Sequence, residues 1–134
     1  MYMKAVLLGL GMLALAGCET APATGSAGGS VSAQIESFIE DAATAELIAS
    51  ECPDLSMTAS TETLTTTFVN QMIASGVSPV VIAEAVDGLD DYAMAGQIVS
   101  DLLRAGVDPS NATSMCGYGR QQITTGSRVG RFLR

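Results

Sequence analysis

Few residues of this 134-residue chain could carry chemistry, and its three cysteines are foremost among them. The chain has no histidine and no tryptophan, and its single lysine stands near the start. Cys18 ends an uncharged, largely apolar run over residues 5–17, and the residues just before it are small. Because small residues let a chain lie extended in a peptidase, this thiol is a candidate for processing and lipid attachment.

The run and its flanks predict an export signal over residues 1–17. Lys4 supplies the basic start, and the apolar run has the length of a signal-peptide core, too short to cross a bilayer as a helix. The segment LAGC at 15–18 resembles the lipobox of bacterial lipoproteins, which implies cleavage before Cys18 and a diacylglycerol thioether on its sulfur. Several acyl chains together would anchor the protein stably in a membrane, because each buried CH₂ group contributes ~0.8 kcal/mol of binding free energy. The alternative is an ordinary cleaved signal; we favour lipidation because the apolar run stops at the lipobox.

The residues after Cys18 predict a location and a tether. Glu19 stands where an aspartate most often signals inner-membrane retention, so we expect the outer membrane, facing the periplasm. Residues 18–31 are rich in Gly, Ala, Ser and Thr, which predicts a flexible tether with a relaxed span of roughly 20 Å. The remainder, residues 32–134, is enough for one small domain.

The charges are distributed unevenly along the chain. The net charge is −8, and every acidic residue except Asp108 lies between Glu19 and Asp101, a stretch without a basic residue. Five arginines follow: Arg104, Arg120, Arg128, Arg131 and Arg134. Net acidity predicts no nucleic-acid partner, since phosphate contacts need clustered Lys and Arg. Either the arginines pack near acidic helices of the same domain, which we favour, or they face a partner or anionic lipid.

Two cysteines, Cys52 and Cys116, remain once Cys18 is lipidated. In an oxidising compartment such a pair most simply forms a disulfide, which would contribute ~4 kcal/mol by closing a loop of about 65 residues. A metal or redox site is the alternative, but the chain has no Cys-x-x-Cys motif and no base to activate a thiol. We therefore predict no metal and no cofactor.

An aspartate cluster, Asp87, Asp90 and Asp91, is the other arrangement that resembles a metal site. It lacks the alternating oxygen ligands and the following glycine of a calcium loop. A solvated helix face is the interpretation we favour.

Apolar residues at helical spacing predict the elements that hold these side chains. The first helix spans 33–51 with Ser32 as its cap, and Pro53 ends it. Its apolar face comprises Ile35, Phe38, Ala42, Ala45, Ile48 and Cys52. Leu64, Phe68 and Met72 predict a second helix over 59–75, with Val69 and Ile73 beside them, although its many threonines are weak helix formers.

A repeated junction, SGVSP at 75–79 and AGVDP at 105–109, separates the later helices. In each copy a glycine in the left-handed conformation ends one helix, and the valine folds back onto its last turn. Ser78 or Asp108 then caps the next helix, with proline in first position. The junctions predict a third helix over 79–105, which Gly88 and Gly96 could bend, and another helix from Pro109.

Two further patterns complete the predicted architecture. The third helix directs an apolar stripe to the core, formed by Ile82, Val86, Leu89, Ala93, Gly96, Val99 and Leu103. The fourth directs Met115, Cys116, Gly119 and Ile123 inward. Gly126 ends it, and Ser127 caps a short helix that runs to residue 134. We therefore predict an all-α bundle of about four helices plus a short C-terminal helix, tied by one disulfide.

From about residue 46 to 134 the chain resembles a family of small exported alphaproteobacterial proteins described only as a domain of unknown function. The resemblance rests on the helix ending in Cys52, the two glycine junctions, and the stretches CGYGRQQI at 116–123 and GSRVGRFL at 126–133. It implies a helical domain with a Cys52–Cys116 bridge and implies no activity. The lipobox and the threonine-rich second helix depart from the family's pattern.

Three arginines are candidates for a structural or partner-binding role: Arg120, Arg128 and Arg131. For Arg120 we favour a structural role, in which a buried guanidinium pairs with a carboxylate or caps the C-terminus of a helix. The alternative is that the guanidinium binds a ligand, although the sequence identifies no other residue of such a binding site.

The leading functional hypothesis is a membrane-anchored, non-catalytic interaction module of the cell envelope with an unidentified protein partner. The alternative is an acidic periplasmic inhibitor or immunity-type protein that masks a basic enzyme. An enzyme would need a carboxylate pair such as Glu36 and Glu40 across a cleft, which a small helical domain hardly offers. We therefore predict that the chain is not an enzyme.

Overall fold

The computed structural model describes residues 30–134, so the predicted signal peptide, Cys18 and most of the tether lie outside the described residues. Five α-helices and a 3₁₀-helix follow in order: α1 Val31–Glu51, α2 Thr61–Ala74, α3 Pro79–Asp87, α4 Asp91–Arg104, α5 Ala112–Thr125 and η1 Gly130–Phe132. The all-α prediction is confirmed. None of these helices is both long and apolar enough to cross a membrane.

The central element is α1, which contacts α3, α4, α5 and η1. Its predicted apolar face is confirmed, with Ile35 near one end and Ile48 near the other both buried. The C-terminal half of α1 packs in a core cluster of Ala45, Ile48, Cys52, Leu55, Leu102, Val107, Met115, Cys116 and Leu133. The N-terminal half packs in a second cluster of Ile35, Met72, Ile82 and Ala85.

The caps of α1 and α2 are serines. Ser30, with an extended backbone, accepts a hydrogen bond from the Ala33 N–H at 3.2 Å, so the prediction that Ser32 caps α1 is wrong. Ser32 already lies in the first helical turn. The second helix is confirmed with slightly shorter ends, and Ser60 caps it by accepting from the Thr63 N–H. Of its apolar residues only Met72 is buried, so α2 lies at the edge of the bundle.

The third helix predicted over 79–105 is two helices, α3 and α4, separated at residues 88–90, where Gly88 was a predicted bend. Gly88 ends α3, and the Asp90 carboxylate accepts hydrogen bonds from the N–H groups of Tyr92 and Ala93 at 3.1 and 2.9 Å. Asp90 is therefore a helix cap. No group of carboxylates in residues 30–134 is placed to hold a metal ion.

The break also changes which residues of this region face the core. Met94 and Leu102 are buried, as are Ile82 and Ala85. Much of the predicted core stripe is instead exposed: Val86, Ala93, Gly96, Val99 and Leu103. The predicted stripe was wrong because residues 88–90 are not helical. The faces of α3 and α4 that point to the core are therefore not related by a single helical spacing.

The two glycine junctions end their helices as predicted. Gly76 and Gly106 have φ angles of 97° and 77°, and the following valines donate backbone hydrogen bonds to the carbonyls of Met72 and Leu102. Ser78 caps α3 with Pro79 in first position.

The second junction differs in how the next helix begins. The cap of α5 is Asn111, and Asp108 instead accepts hydrogen bonds from the backbone and hydroxyl of Ser110 in a turn. These two bonds, with the hydroxyl contributing more, lower the pKa of Asp108. The predicted start of this helix at Pro109 is therefore wrong.

The disulfide between Cys52 and Cys116 joins the end of α1 to α5, with Cα atoms 5.4 Å apart. The two helices approach closely at Gly119. A Cβ there would lie 2.5 Å from Ile48 Cγ2 and 2.7 Å from Leu55 Cδ1, so any other residue would force these two side chains to shift.

The chain ends against the loop that follows α1. Ser127 accepts a hydrogen bond from the Gly130 N–H at 2.9 Å in the turn before η1, but the N-cap residue of η1 is Val129, so the prediction that Ser127 caps this helix is wrong. The helix stops at Phe132 rather than continuing to residue 134, and Leu133 forms an antiparallel bridge with Met57. Ser56 and Arg134 exchange two backbone hydrogen bonds of 2.9 Å there.

Candidate functional site

All three phenylalanines of the chain meet on one side of the domain. Phe38 of α1 stacks on Phe68 of α2, with ring centroids 4.1 Å apart. Phe132 of η1 meets Phe38 edge to face at 5.7 Å. Each ring is half-buried, so the cluster both packs the fold and presents apolar surface to the outside.

These rings belong to an open groove of about 510 Å³ between α1, α2 and the C-terminal segment. We call it the Phe/Arg groove. It is lined by Ala33, Gln34, Ser37, Phe38, Asp41, Leu64, Thr67, Phe68, Gln71, Arg128, Arg131 and Phe132. Two of the three candidate arginines therefore lie in one groove, beside all three aromatic rings of phenylalanine.

Arg128 lies in this groove with a partner from the same domain. Its Nε is 3.1 Å from Oδ2 of Asp41, and the two side chains are 67% and 15% exposed, respectively. Burial raises the pKa of Asp41, and the charges of Arg128 and Arg131 act in the opposite direction without cancelling the rise. The prediction that arginines pack near acidic helices is confirmed at this pair.

Arg131 differs from Arg128. The charge of Arg131 acts to lower the pKa of Asp41. Its guanidinium nevertheless forms no ion pair or hydrogen bond with any residue of 30–134. The Asp41 carboxylate is instead bonded to Arg128. An exposed guanidinium that forms no ion pair or hydrogen bond, in a groove with three phenyl rings, is suited to bind an anionic group attached to an apolar one.

Arg120 lies apart from the Phe/Arg groove. Its Nη1 pairs with Oδ2 of Asp54 at 2.5 Å, and both side chains are more than half exposed. The expected carboxylate partner is present, but the expectation of a buried arginine is wrong. An exposed pair of this kind contributes at most about 1 kcal/mol.

Sequence reasoning missed Asp41 and the three rings as parts of a site. It assigned Phe38 and Phe68 to apolar helix faces, which they do occupy in part. The signal that could have found the groove is weak: the two groove arginines, Arg128 and Arg131, closely precede Phe132, the single phenylalanine of the C-terminal segment.

A second cleft, of about 350 Å³, lies between α1, α3 and the start of α4. Four carboxylates line it: Glu36, Glu40, Glu84 and Asp90. Burial raises the pKa of Glu40, and the nearby charge of Glu36 raises it further. The cleft is therefore an acidic surface suited to a basic side chain.

Comparison with known proteins gives a family and no relative of known activity. No curated protein and no solved structure shows significant similarity to the chain. A family model described as "Family of unknown function (DUF5333)" matches residues 30–134, which include all of α1 and every later helix. This match confirms the resemblance to a family of unknown function and extends it toward the N-terminus. The chain belongs to this family, DUF5333.

Proposed function

We propose that this protein is a lipid-anchored, non-catalytic interaction module of the cell envelope, which holds a partner protein in the Phe/Arg groove. The observation that carries the proposal is Arg131, whose guanidinium forms no ion pair or hydrogen bond within residues 30–134 and lines the same groove as three phenyl rings. The partner contributes a segment in which a carboxylate adjoins an apolar side chain. The carboxylate pairs with Arg131, and the apolar group packs on the rings.

The chain's own remaining residues do not fit this groove. After cleavage before Cys18, residues 19–29 would contain Glu19 as their one acidic residue and no apolar side chain larger than that of proline. They could offer a carboxylate but no group to cover the rings. A separate protein is therefore the occupant we propose.

The anchor in this proposal is the acylated Cys18. It is supported by the apolar run 5–17, the lipobox sequence LAGC and the glycine- and serine-rich stretch that follows. A tether with a span of roughly 20 Å would hold α1 close to the membrane. The Phe/Arg groove includes residues from the first turn of α1, so it would lie at the membrane-proximal part of the domain. Glu19 after the cysteine favours the outer membrane, facing the periplasm.

The groove is tested by site-specific photocrosslinking of the full chain in living cells. A photoreactive phenylalanine replaces Thr67, which lines the groove, or the neighbouring Thr66, which is equally exposed but does not line it. We expect a discrete crosslinked envelope protein from position 67 and none from position 66. Equal products from both positions would contradict the proposal.

The role of Arg131 is tested in the same assay. Arg131→Gln should remove the product at position 67, because the carboxylate of the partner loses its counter-charge. Arg134→Gln should leave it, because Arg134 does not line the groove. An unchanged product in Arg131→Gln would overturn this assignment.

The anchor is tested by mass spectrometry of the mature N-terminal peptide and by fractionation of Cys18→Ala cells. We expect an acylated Cys18 in the wild type and loss of membrane association in the variant. An unmodified N-terminal cysteine in the wild type would contradict lipidation.

The acidic cleft supports a second candidate function, inhibition of a basic enzyme. Its four carboxylates would surround a lysine or arginine of the enzyme, with attraction that weakens as salt rises. Binding to cationic hydrolases should therefore be stronger at low salt and weaker in Glu84→Gln. A protein that binds no cationic hydrolase at low salt would exclude this role.

A further inference from the structure

Helix α4 carries two apolar faces, and only one of them is used inside the domain. Met94, Ile98 and Leu102 recur every four residues and face the core. A second set, Tyr92, Gly96, Val99 and Leu103, follows a four-three-four spacing. We call this second set the outer stripe of α4.

The outer stripe is exposed along its whole length. Tyr92 is 91% exposed, Leu103 57% and Val99 43%, and a Cβ on Gly96 would meet nothing within 4 Å. No helix in residues 30–134 covers it. Four-three-four is the spacing of the apolar seam by which two helices pair.

We propose that a second copy of this chain covers the outer stripe, with the two α4 helices antiparallel about a two-fold axis between residues 97 and 98. In that register Tyr92 of each copy lies against Leu103 of the other, and Gly96 lies against Val99. The valine fills the space that glycine leaves open. A parallel pair would set Gly96 against Gly96 and leave a gap.

The charges favour the same arrangement. The chain has a net charge of −8, yet residues 92–100 contain no charged side chain, so the contact adds little repulsion. An antiparallel pair places the acidic first turn of one α4, at Asp90 and Asp91, at the same end as Arg104 of the other copy. A parallel pair would place the two acidic turns together.

The remaining part of the mature chain does not explain the outer stripe, because residues 19–29 hold no large apolar side chain. One pair of 14-residue helices buries less than the ~1,200 Å² of a stable interface, so the contact is weak between free molecules. Attachment to a shared membrane raises the effective concentration of each copy for the other. This last step rests on the proposed anchor.

The test uses two differently tagged full-length chains produced in the same cells, one with Ala93→Cys and one with Ser100→Cys. Both positions are exposed and lie on the same flank of the outer stripe, so neither substitution alters the contact itself. The native Cys52 and Cys116 are bridged and do not react with a short bismaleimide, and mass spectrometry of the crosslinked peptides distinguishes positions 93 and 100 from a Cys18 that carries no lipid. In the antiparallel pair, position 93 of one copy lies close to position 100 of the other, whereas the two positions 93 lie far apart.

We expect the mixed crosslink to exceed the 93–93 product several-fold, and Val99→Glu to abolish it in either tagged background. Thr113→Glu, on the exposed part of α5, is the matched control and should leave the mixed crosslink unchanged. Equal amounts of all products, insensitive to Val99→Glu, would indicate random collision and overturn the pairing. Crosslinks to a different protein would overturn it as well.

Fractionation of the same cells separates this inference from the proposed anchor. Chains that are membrane-bound but give no mixed crosslink refute the dimer and leave the anchor intact. Chains that give the mixed crosslink away from the membrane support the dimer and refute the anchor.

Discussion

Phe38 and Phe68 stack face to face, with their ring planes within 4° of parallel and their centroids 4.1 Å apart. This pair is an important contact between α2 and α1, because Met72 is the only buried residue of α2 and so few other side chains hold the helix in place. The same rings form the apolar part of the Phe/Arg groove. The groove therefore depends on a packing contact that also positions a whole helix.

Removing one ring of the stack should measurably destabilise the domain. Phe68→Ala loses half-buried apolar area and the aromatic contact, so we expect a decrease of about 2 kcal/mol in the free energy of unfolding in urea. Thr65→Ala, on the exposed face of α2, serves as the control and should change it by less than about 0.5 kcal/mol. Equal effects of the two substitutions would show that the stack contributes nothing.

Two glycines of α5 should respond oppositely to the same substitution. Gly119→Ala introduces a Cβ into the contact with Ile48 and Leu55, so we expect destabilisation by about 1–3 kcal/mol. Gly117→Ala meets no atom within 4 Å and should stabilise the helix by about 0.5–1 kcal/mol. Thermal or urea unfolding of both variants measures the difference. A Gly119→Ala variant as stable as the wild type would contradict the expected cost of displacing the Ile48 and Leu55 side chains.

The disulfide should account for a large part of the stability. Replacing both Cys52 and Cys116 by alanine frees a loop of about 65 residues, and the chain-entropy model gives a loss of about 4 kcal/mol. Reductant should reproduce this loss in the wild type and have no effect on the double variant. A wild type whose urea midpoint is insensitive to reductant would contradict the bridge.

Asp41 should make stability depend on pH in an unusual direction for an aspartate. Because burial raises its pKa in the fold, the native chain binds its proton more readily than the unfolded chain does. The contribution of Asp41 to stability therefore grows as the pH falls through the raised pKa and is lost as the pH rises through it.

Asp41→Asn isolates this effect, since the amide is neutral at every pH and Glu40 remains in both proteins. We expect the variant to be at least as stable as the wild type near about pH 7, because the cost of burying the Asp41 carboxylate outweighs its attraction to Arg128 and Arg131. The gain in stability as the pH falls from neutrality through the raised pKa of Asp41 should be smaller in the variant. Parallel pH profiles for the two proteins, measured by urea unfolding, would argue against a raised pKa.

Local chemistry made most of the fold predictable. The glycines at 76 and 106, Ser78 before Pro79, and Pro53 after α1 each act on neighbouring residues, so their effects are readable from the chain itself. The prediction failed at 88–90, where Gly88 and Asp90 were available as helix-ending and helix-capping residues. The prediction gave these signals too little weight, because apolar residues continue at helical spacing on both sides of them.

The candidate site was not predictable in the same way. Phe38, Phe68 and Phe132 lie on three separate elements and meet only through tertiary packing. Arg131 was identified as a candidate from its charge alone, while its lack of a partner among residues 30–134 became visible only in the structure. In the sequence Asp41 is one of several acidic residues of α1, and only the structure places Arg128 beside it.

The Cys52–Cys116 bridge also determines how the domain would bear a mechanical load. A pull applied between residue 30 and the C-terminal segment travels along α1, crosses the sulfur–sulfur bond and continues through α5. The intervening residues 53–115, which include α2, α3 and α4, lie in a covalently closed loop outside that path. Tension on the chain would therefore leave those three helices unstretched, even when α1 and α5 are under strain.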